Sequence, residues 1–173
     1  MRKKLFLMCG LPGSGKTSYI KNIIMSDIDL TLHHVSRDDI RFSLVKEDEP
    51  YFLKEDEVFS KFCEEIQSCL DSPVYDGVFA DATHLTAKSR AKTLKQLNLE
   101  NVDIIPVFLN VSLETSLKRN AQRDGRRLVP ETVIRNMSKS ISTPVFGENK
   151  YEYEKIFLID ENRNTTVIRK EGC

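Results

Sequence analysis

The chain is 173 residues long, 40% hydrophobic, 30% charged and 8% aromatic, with a formal net charge of zero. That is the size and composition of one globular domain, spanning 1–173, with enough chain to bury a sizeable core. No apolar run approaches the ~18–20 residues of a membrane span, and the apolar run after Arg2-Lys3-Lys4 is too short for a signal peptide.

Residues 3–9 are apolar without alternation, the pattern of a buried strand. Next comes Gly10-Leu11-Pro12-Gly13-Ser14-Gly15-Lys16-Thr17, which fits the phosphate-loop spacing of Gly, any four residues, then Gly-Lys-Ser/Thr. A helix follows with Ile20, Ile23 and Ile24 on one side, fading near Met25-Ser26. Asp27-Ile28-Asp29-Leu30-Thr31 matches the Asp-x-Asp-x-Thr signature of haloacid-dehalogenase phosphatases. That motif needs its own strand before it and a full α/β domain after it, so a polar helix-to-strand turn is the reading here. A short strand, His33-His34-Val35-Ser36, delivers Arg37-Asp38-Asp39-Ile40-Arg41 at its carboxyl end, where open α/β sheets bind ligands. Ile40, Leu44 and Val45 mark a helix there. The acidic stretch to Asp56 reads as loop broken by Pro50, and residues 56–71 as a helix striped by Val58, Phe59, Phe62, Ile66, Cys69 and Leu70.

Pro73 ends that helix. Residues 74–81 form a third strand finishing on Asp81, followed by Ala82-Thr83-His84-Leu85. Thr86 caps a helix to Leu97 that carries Lys88, Lys92 and Lys95 on one face. Residues 102–110 are a fourth strand, in which Pro106 favours an edge, a bulge or an early break. Ser112 caps a helix with Leu113, Leu117 and Ala121, and its outer end carries Lys118, Arg119, Arg123, Arg126 and Arg127. Gly125 interrupts, and Pro130 opens the next helix at its first position, with Val133, Ile134, Met137 and Ile141 along one stripe. This arginine-rich hinge, about 119–135, has the character of a mobile lid over phosphates. A polar loop over 144–153 leads to a fifth strand at 156–159, and Thr166-Val167-Ile168 suits a sixth at the edge. Strands alternating with helices predict a three-layer α/β P-loop NTPase fold, adenylate-kinase-like, with a mainly parallel five-stranded sheet and a helical arginine lid.

The zero net charge is unevenly placed. Residues 47–65 hold eight acids against two lysines, and residues 86–139 hold eleven basic residues against five acids. A basic half could meet phosphates, although most of these side chains suit solvated helix faces. Cys9, Cys63, Cys69 and Cys173 show no C-x-x-C spacing, and beside an ATP site they read as reduced thiols of a cytoplasmic protein.

Phosphoryl transfer needs held phosphates, a metal, neutralising cations and a base near the accepting hydroxyl. The glycines let backbone N–H groups close on phosphate, and the helix from Lys16 adds its positive end. Lys16 would reach the β- and γ-phosphates of ATP, and the Thr17 hydroxyl would ligate Mg²⁺. Asp81, an acid at the end of an apolar strand, is the expected second Mg²⁺-linked carboxylate. Arg123, with Arg119 and one of Arg126 or Arg127, can close on developing charge. Asp38 or Asp39 can take the proton of an attacking hydroxyl. Arg41 can hold an anionic group of the acceptor. Surface ion pairs are the plain alternative for the Arg37–Arg41 cluster, and His84 suits a polar strand-end residue better than a metal ligand, since no second His completes a set.

Taken together, Gly-Leu-Pro-Gly-Ser-Gly-Lys-Thr, Ser-Arg-Asp-Asp-Ile-Arg, Asp-Ala-Thr-His-Leu-Thr and Leu-Lys-Arg-Asn-Ala-Gln-Arg with Val-Pro downstream resemble the kinase domain of phage polynucleotide 5′-kinases. They also resemble the related small P-loop kinases, the AAA_33-like and zeta-toxin-like set. The resemblance runs from about residue 5 to 142. It implies that Asp38 activates a 5′-hydroxyl, that Arg41 contacts the phosphate next to it, and that Arg119 and Arg123 lie on the ATP phosphates. It also implies acceptor contacts at Asp81, Thr83 and position 84, where His84 replaces the Asn common in these kinases. The linker 124–128 is one residue longer than the phage form, no phosphatase or ligase module follows, and the tail looks closer to the wider set.

The expected activity is therefore ATP-dependent, Mg²⁺-assisted transfer to the 5′-OH of a polynucleotide or nucleotide. A small-molecule alcohol such as a metabolite, antibiotic or nucleoside is the alternative acceptor. An ATP-switched binding module is a third reading, disfavoured because Asp81 is followed by Ala82 rather than the Glu of a motor.

Overall fold

The computed structural model describes residues 2–26 and 29–170. The elements in order are β1 (Lys3–Cys9), α1 (Lys16–Ser26), β2 (Leu32–Ser36), α2 (Arg37–Leu44), α3 (Glu55–Asp71), β3 (Gly77–Asp81), α4 (Ala87–Leu94), β4 (Val102–Leu109), α5 (Leu113–Asn120), α6 (Glu131–Ser138), β5 (Lys155–Ile159) and β6 (Thr165–Arg169). A single 3₁₀ turn, Gly125–Arg127, lies between α5 and α6. Asp27 and Ile28 of the phosphatase-like signature, and Cys173, lie outside the described residues.

One six-stranded sheet runs in the order β2-β3-β1-β4-β5-β6. The first five strands are parallel and β6 is antiparallel to β5. The sixth strand is the edge strand that Thr166-Val167-Ile168 suits, added to the five of the parallel sheet. Every residue of β6 is exposed, so no buried face imprinted a pattern on it. β1 sits inside the sheet and is covered on both sides. Leu5 and Leu7 pack towards Val58, Phe62 and Ile66 of α3, whereas Phe6 and Met8 face Ile20 of α1. Each such fully buried side chain stabilises the fold by about 1.5–3 kcal/mol.

Pro106 is not on an edge, because β4 lies between β1 and β5. Ile104 accepts from the Glu154 N–H, so by strand alternation residue 106 also faces β5. There the register slips. Three steps on β4, Ile104 to Val107, match four on the partner, Tyr153 to Phe157. The missing donor of proline falls at this bulge, where the ladder is interrupted.

Helix ends also differ slightly from expectation. α4 stops at Leu94 and α6 at Ser138, so Ile141 is not helical, and Pro130 stands at the N-cap of α6 rather than inside it. Ser36, Thr86 and Ser112 cap α2, α4 and α5 through their hydroxyls.

A charged pair is buried between α4 and the segment that precedes β5. Arg90 of α4 is fully buried and bonds both carboxylate oxygens of Glu148 at 2.6 Å. It also donates to the carbonyls of His84 and Ser142 at 2.9 and 3.1 Å. Tyr153 donates to Glu148 from the other side at 2.5 Å. The segment between α6 and β5 is pinned to α4 by this network.

Candidate active site

The parallel sheet brings the carboxyl ends of β1, β2 and β3 together, with Ser36 in register with Asp81. Residues 10–17 follow β1, α2 begins directly after β2, and Asp81 closes β3. These three ends wall a cleft of about 260 Å³ that contains Lys16, Thr17, Asp38, Arg41, Asp81 and Arg123. Pro12 and Thr83 line it as well.

The loop is shaped by close approach. Gly13 has φ +82°, and a Cβ there would stand 2.2 Å from the Ser116 carbonyl oxygen, so α5 can seat on the loop only over glycine. Gly10 also sits in the left-handed half of backbone space. Lys16 folds back, its ammonium donating to the Gly10 and Leu11 carbonyls at 2.9 and 3.0 Å. Burial pulls its pKa below the ordinary lysine value, against the attraction of Asp81. Ser14 is fully buried, and its hydroxyl has no partner among the described residues.

Asp81 is buried and accepts from the Thr17 hydroxyl at 2.9 Å and from His34 Nε2 at 2.9 Å. Burial would raise its pKa. The His34 bond, the charge of Lys16 and the Thr17 bond outweigh that and hold it below the usual carboxylate value. A hydroxyl and a carboxylate at contact distance form the all-oxygen pair that Mg²⁺ takes together with phosphate oxygens, so the residues fit that ion. Among the described residues there is no cluster of three or more His, Cys, Asp or Glu that could hold a metal ion by itself.

Asp38 is half exposed at the start of α2. Its Oδ1 accepts from Arg41 Nη1 at 2.5 Å and from the Tyr51 hydroxyl at 3.0 Å. Arg41 is 5% exposed and also bonds both Glu55 oxygens, at 3.1 and 3.0 Å. Its guanidinium lies 4.5 Å from the Tyr51 ring centre. Arg37 pairs with the same Glu55. The Nε atoms of Arg37 and Arg41 are buried without partners among the described residues, and both side chains line the cleft.

The lid arginines divide into separate roles. Arg123 and Arg127 line the cleft. Arg127 pairs with Asp39 at 2.6 Å, and Arg126 donates to the Val45 carbonyl at 2.8 Å while stacking on Phe42. Arg119 instead bonds the Ser14 carbonyl at 3.2 Å, away from the cleft lining. Asn120 closes the base of the lid, exchanging two hydrogen bonds with the backbone of Val129 at 2.7 and 3.1 Å.

His84 is not brought to the cleft. It is 4% exposed, its Nδ1 donates to the Met8 carbonyl at 2.7 Å, and its Nε2 lies 3.2 Å from the Thr93 hydroxyl. Burial keeps it neutral, its pKa pulled down to about 4. Its φ of 39° belongs to the left-handed region, which Asn and His tolerate better than most residues. Thr83 contributes its carbonyl, which accepts from the Gly10 N–H at 2.9 Å.

Sequence reasoning passed over four further residues near the site. Tyr51 and Glu55 lie in a stretch read as acidic loop, His34 was one residue of a strand, and Arg163 belongs to the β5–β6 turn. Arg163 donates to the Gly15 carbonyl at 3.3 Å. Its guanidinium lies 2.6 Å from where a Gly15 Cβ would be.

The AAA_33 family, described as an AAA domain, matches residues 5–144. A protein of Autographa californica nuclear polyhedrosis virus that carries the name bifunctional polynucleotide kinase/RNA ligase is 26% identical over 164 residues. The match takes in 87% of this chain and 22% of that protein, so the chain spans about a fifth of its relative's length. Among solved structures, a chain of the Pnkp1/Rnl/Hen1 RNA repair complex superposes with a TM-score of 0.67 at 20% identity, over 80% of this chain and 44% of that one. A sugar kinase from Janibacter sp. gives 0.62 at 16% identity, over 95% and 88%. A fungal RNA kinase gives 0.59 at 14%, over 91% and 74%. These likenesses bear on the fold.

Proposed function

Because the chain belongs to the AAA_33 family of AAA domains and is a P-loop kinase of that type, we propose that it transfers the γ-phosphate of ATP to the 5′-hydroxyl of a polynucleotide or nucleotide. The observation that carries the reading is the meeting of Asp38 with Lys16, Thr17, Asp81 and Arg123 around one cleft of about 260 Å³. The acceptor oxygen attacks the γ-phosphorus, its proton passes to Asp38, and ADP leaves. Lys16 and the loop N–H groups hold the β- and γ-phosphates, and Arg123 neutralises charge on the transferring group. Mg²⁺, held by the Thr17 hydroxyl and linked to Asp81, would supply further neutralisation there.

Two features favour a nucleoside end as acceptor. The guanidinium side chains of Arg37 and Arg41 line the cleft beside Asp38, a pair of cations that suits the phosphate beside a 5′-terminal sugar. Phe52 on one wall and Val129, Val133 and Met137 on the lid wall leave an apolar strip that suits a flat base. The name of the viral relative agrees with this acceptor. A small alcohol is the second reading, favoured by the acids of residues 47–57, which follow the acceptor wall and would repel a polyanion.

The test is transfer of radiolabelled γ-phosphate to 5′-OH oligonucleotides, nucleosides and small alcohols in parallel. Asp38→Asn should lower kcat by about 10²–10⁴-fold while ATP still binds. Near-normal kcat in that variant would remove Asp38 as the base, and labelling of a small alcohol alone would replace the oligonucleotide.

A further inference from the structure

The loop between α2 and α3 sends two side chains to the cleft, Tyr51 and Phe52, and only Tyr51 reaches the carboxylate of Asp38. Tyr51 sits after Pro50, its ring edge-on to Phe52 at 4.8 Å and to Phe42 at 6.4 Å, with the Arg41 guanidinium over its face. Its hydroxyl accepts from Arg41 Nη1 at 3.0 Å and donates to Asp38 Oδ1 at 3.0 Å. Arg41 Nη1 reaches the same Oδ1, which closes a triangle of three hydrogen bonds. No described residue bonds Asp38 Oδ2.

We propose that Tyr51 is a positioning residue for the transfer reaction: with Arg41 it occupies Oδ1 of Asp38, restrains the rotation of the carboxylate, and leaves Oδ2 as the atom that takes the acceptor's proton. The proposal rests on the kinase reading above. A carboxylate on a half-exposed helix start rotates freely unless held, and a base that rotates must be reordered in every turnover. Arg41 holds Oδ1 from its own helix, and Tyr51 holds the same atom from a different element, so rotation about the Cβ–Cγ bond is restrained from two directions. Tyr51 stays a donor throughout the working pH range, because burial, followed by the neighbouring charge of Asp38, pushes its phenol up to about 12. The oxygen it bonds already carries two donors, so Tyr51 and Arg41 leave Oδ2 as the carboxylate atom that faces the acceptor.

Tyr51→Phe deletes a single oxygen and keeps the ring contacts. In steady-state transfer to a 5′-OH oligonucleotide, kcat is expected to fall about ten- to a hundredfold. KM for ATP and for acceptor should stay within about twofold, with an unchanged melting temperature. A kcat that is unchanged or raised overturns the proposal; a raised value would mean that the tyrosine competes with the acceptor for the base. A second measurement is independent of turnover. With tyrosines labelled at the ζ-carbon, the Tyr51 signal should titrate near 12 in the wild-type protein and lower in Asp38→Asn, by the part of the shift that the Asp38 charge and bond add to that of burial. Identical titration in both proteins would mean that the contact is absent and would overturn the proposal while leaving the kinase reading intact. Failure of the wild-type protein to phosphorylate any hydroxyl, with the Tyr51 shift still present, overturns the kinase reading and the positioning role with it.

Discussion

Lys16 points its ammonium at two loop carbonyls, and burial already disfavours its charge. Phosphate oxygens would replace those neutral acceptors with charge-assisted bonds, each worth roughly 1.5–3 kcal/mol. Lys16→Ala should therefore weaken ATP binding about tenfold or more by isothermal titration and abolish transfer; unaltered affinity would mean that residues 10–17 do not cradle the phosphates. Lys16, Thr17, Asp38 and Arg41 were legible in sequence because each belongs to a short motif whose spacing carries its chemistry. Their partners were not. Glu55 reaches Arg41 across 14 positions, and His34 reaches Asp81 across 47. Nothing in a single acid among eight, or in one histidine of a strand, says which side chain it will face. His84 misled in the opposite direction: its place in a motif suggested a ligand contact, while its left-handed backbone and two internal bonds turn it into the core.

The lid is closed at its base by one side chain. Asn120 is 4% exposed and ties the last turn of α5 to Val129, so the residues between, with Arg123, Arg126 and Arg127, form a loop closed at its neck. Asn120→Ala removes both bonds and leaves the Val129 backbone short of partners, a cost of about 1–3 kcal/mol. The expected phenotype is faster proteolysis within 121–128 and a lower kcat, since Arg123 loses its fixed approach to the cleft; protection equal to the wild type would show that the neck is held by other contacts. The arginine-rich hinge was visible in sequence as composition around Gly125. The division of labour was not, because it depends on which arginines meet Phe42 and Asp39 of α2.

Across the whole molecule, the parallel sheet followed from alternating strands and helices. The strand order did not, and the order is what sets His34 beside Asp81 and places Pro106 inside the sheet. The buried imidazole of His84 makes stability depend on pH. Folded, it stays neutral down to about 4. Unfolded, it takes a proton near 6.5. Between those values the unfolded chain holds more protons, so stability is complete above about pH 6.5 and declines towards pH 4, by about 3 kcal/mol from this group. Urea unfolding from pH 7 to 4.5 should show that decline, and His84→Gln, which retains a donor for Met8, should flatten it. An equally steep acid limb in the variant would assign it to other groups. The buried pair between Arg90 and Glu148 has a different consequence, for anyone trimming the chain. The family match stops at residue 144, yet the counter-ion of the buried Arg90 guanidinium comes four residues later. Shortening the protein to the matched span would strand that cation in an apolar interior, a loss of about 3–5 kcal/mol. Such a fragment should aggregate on expression, while one reaching past Tyr153 keeps the neutralising carboxylate and its phenol support.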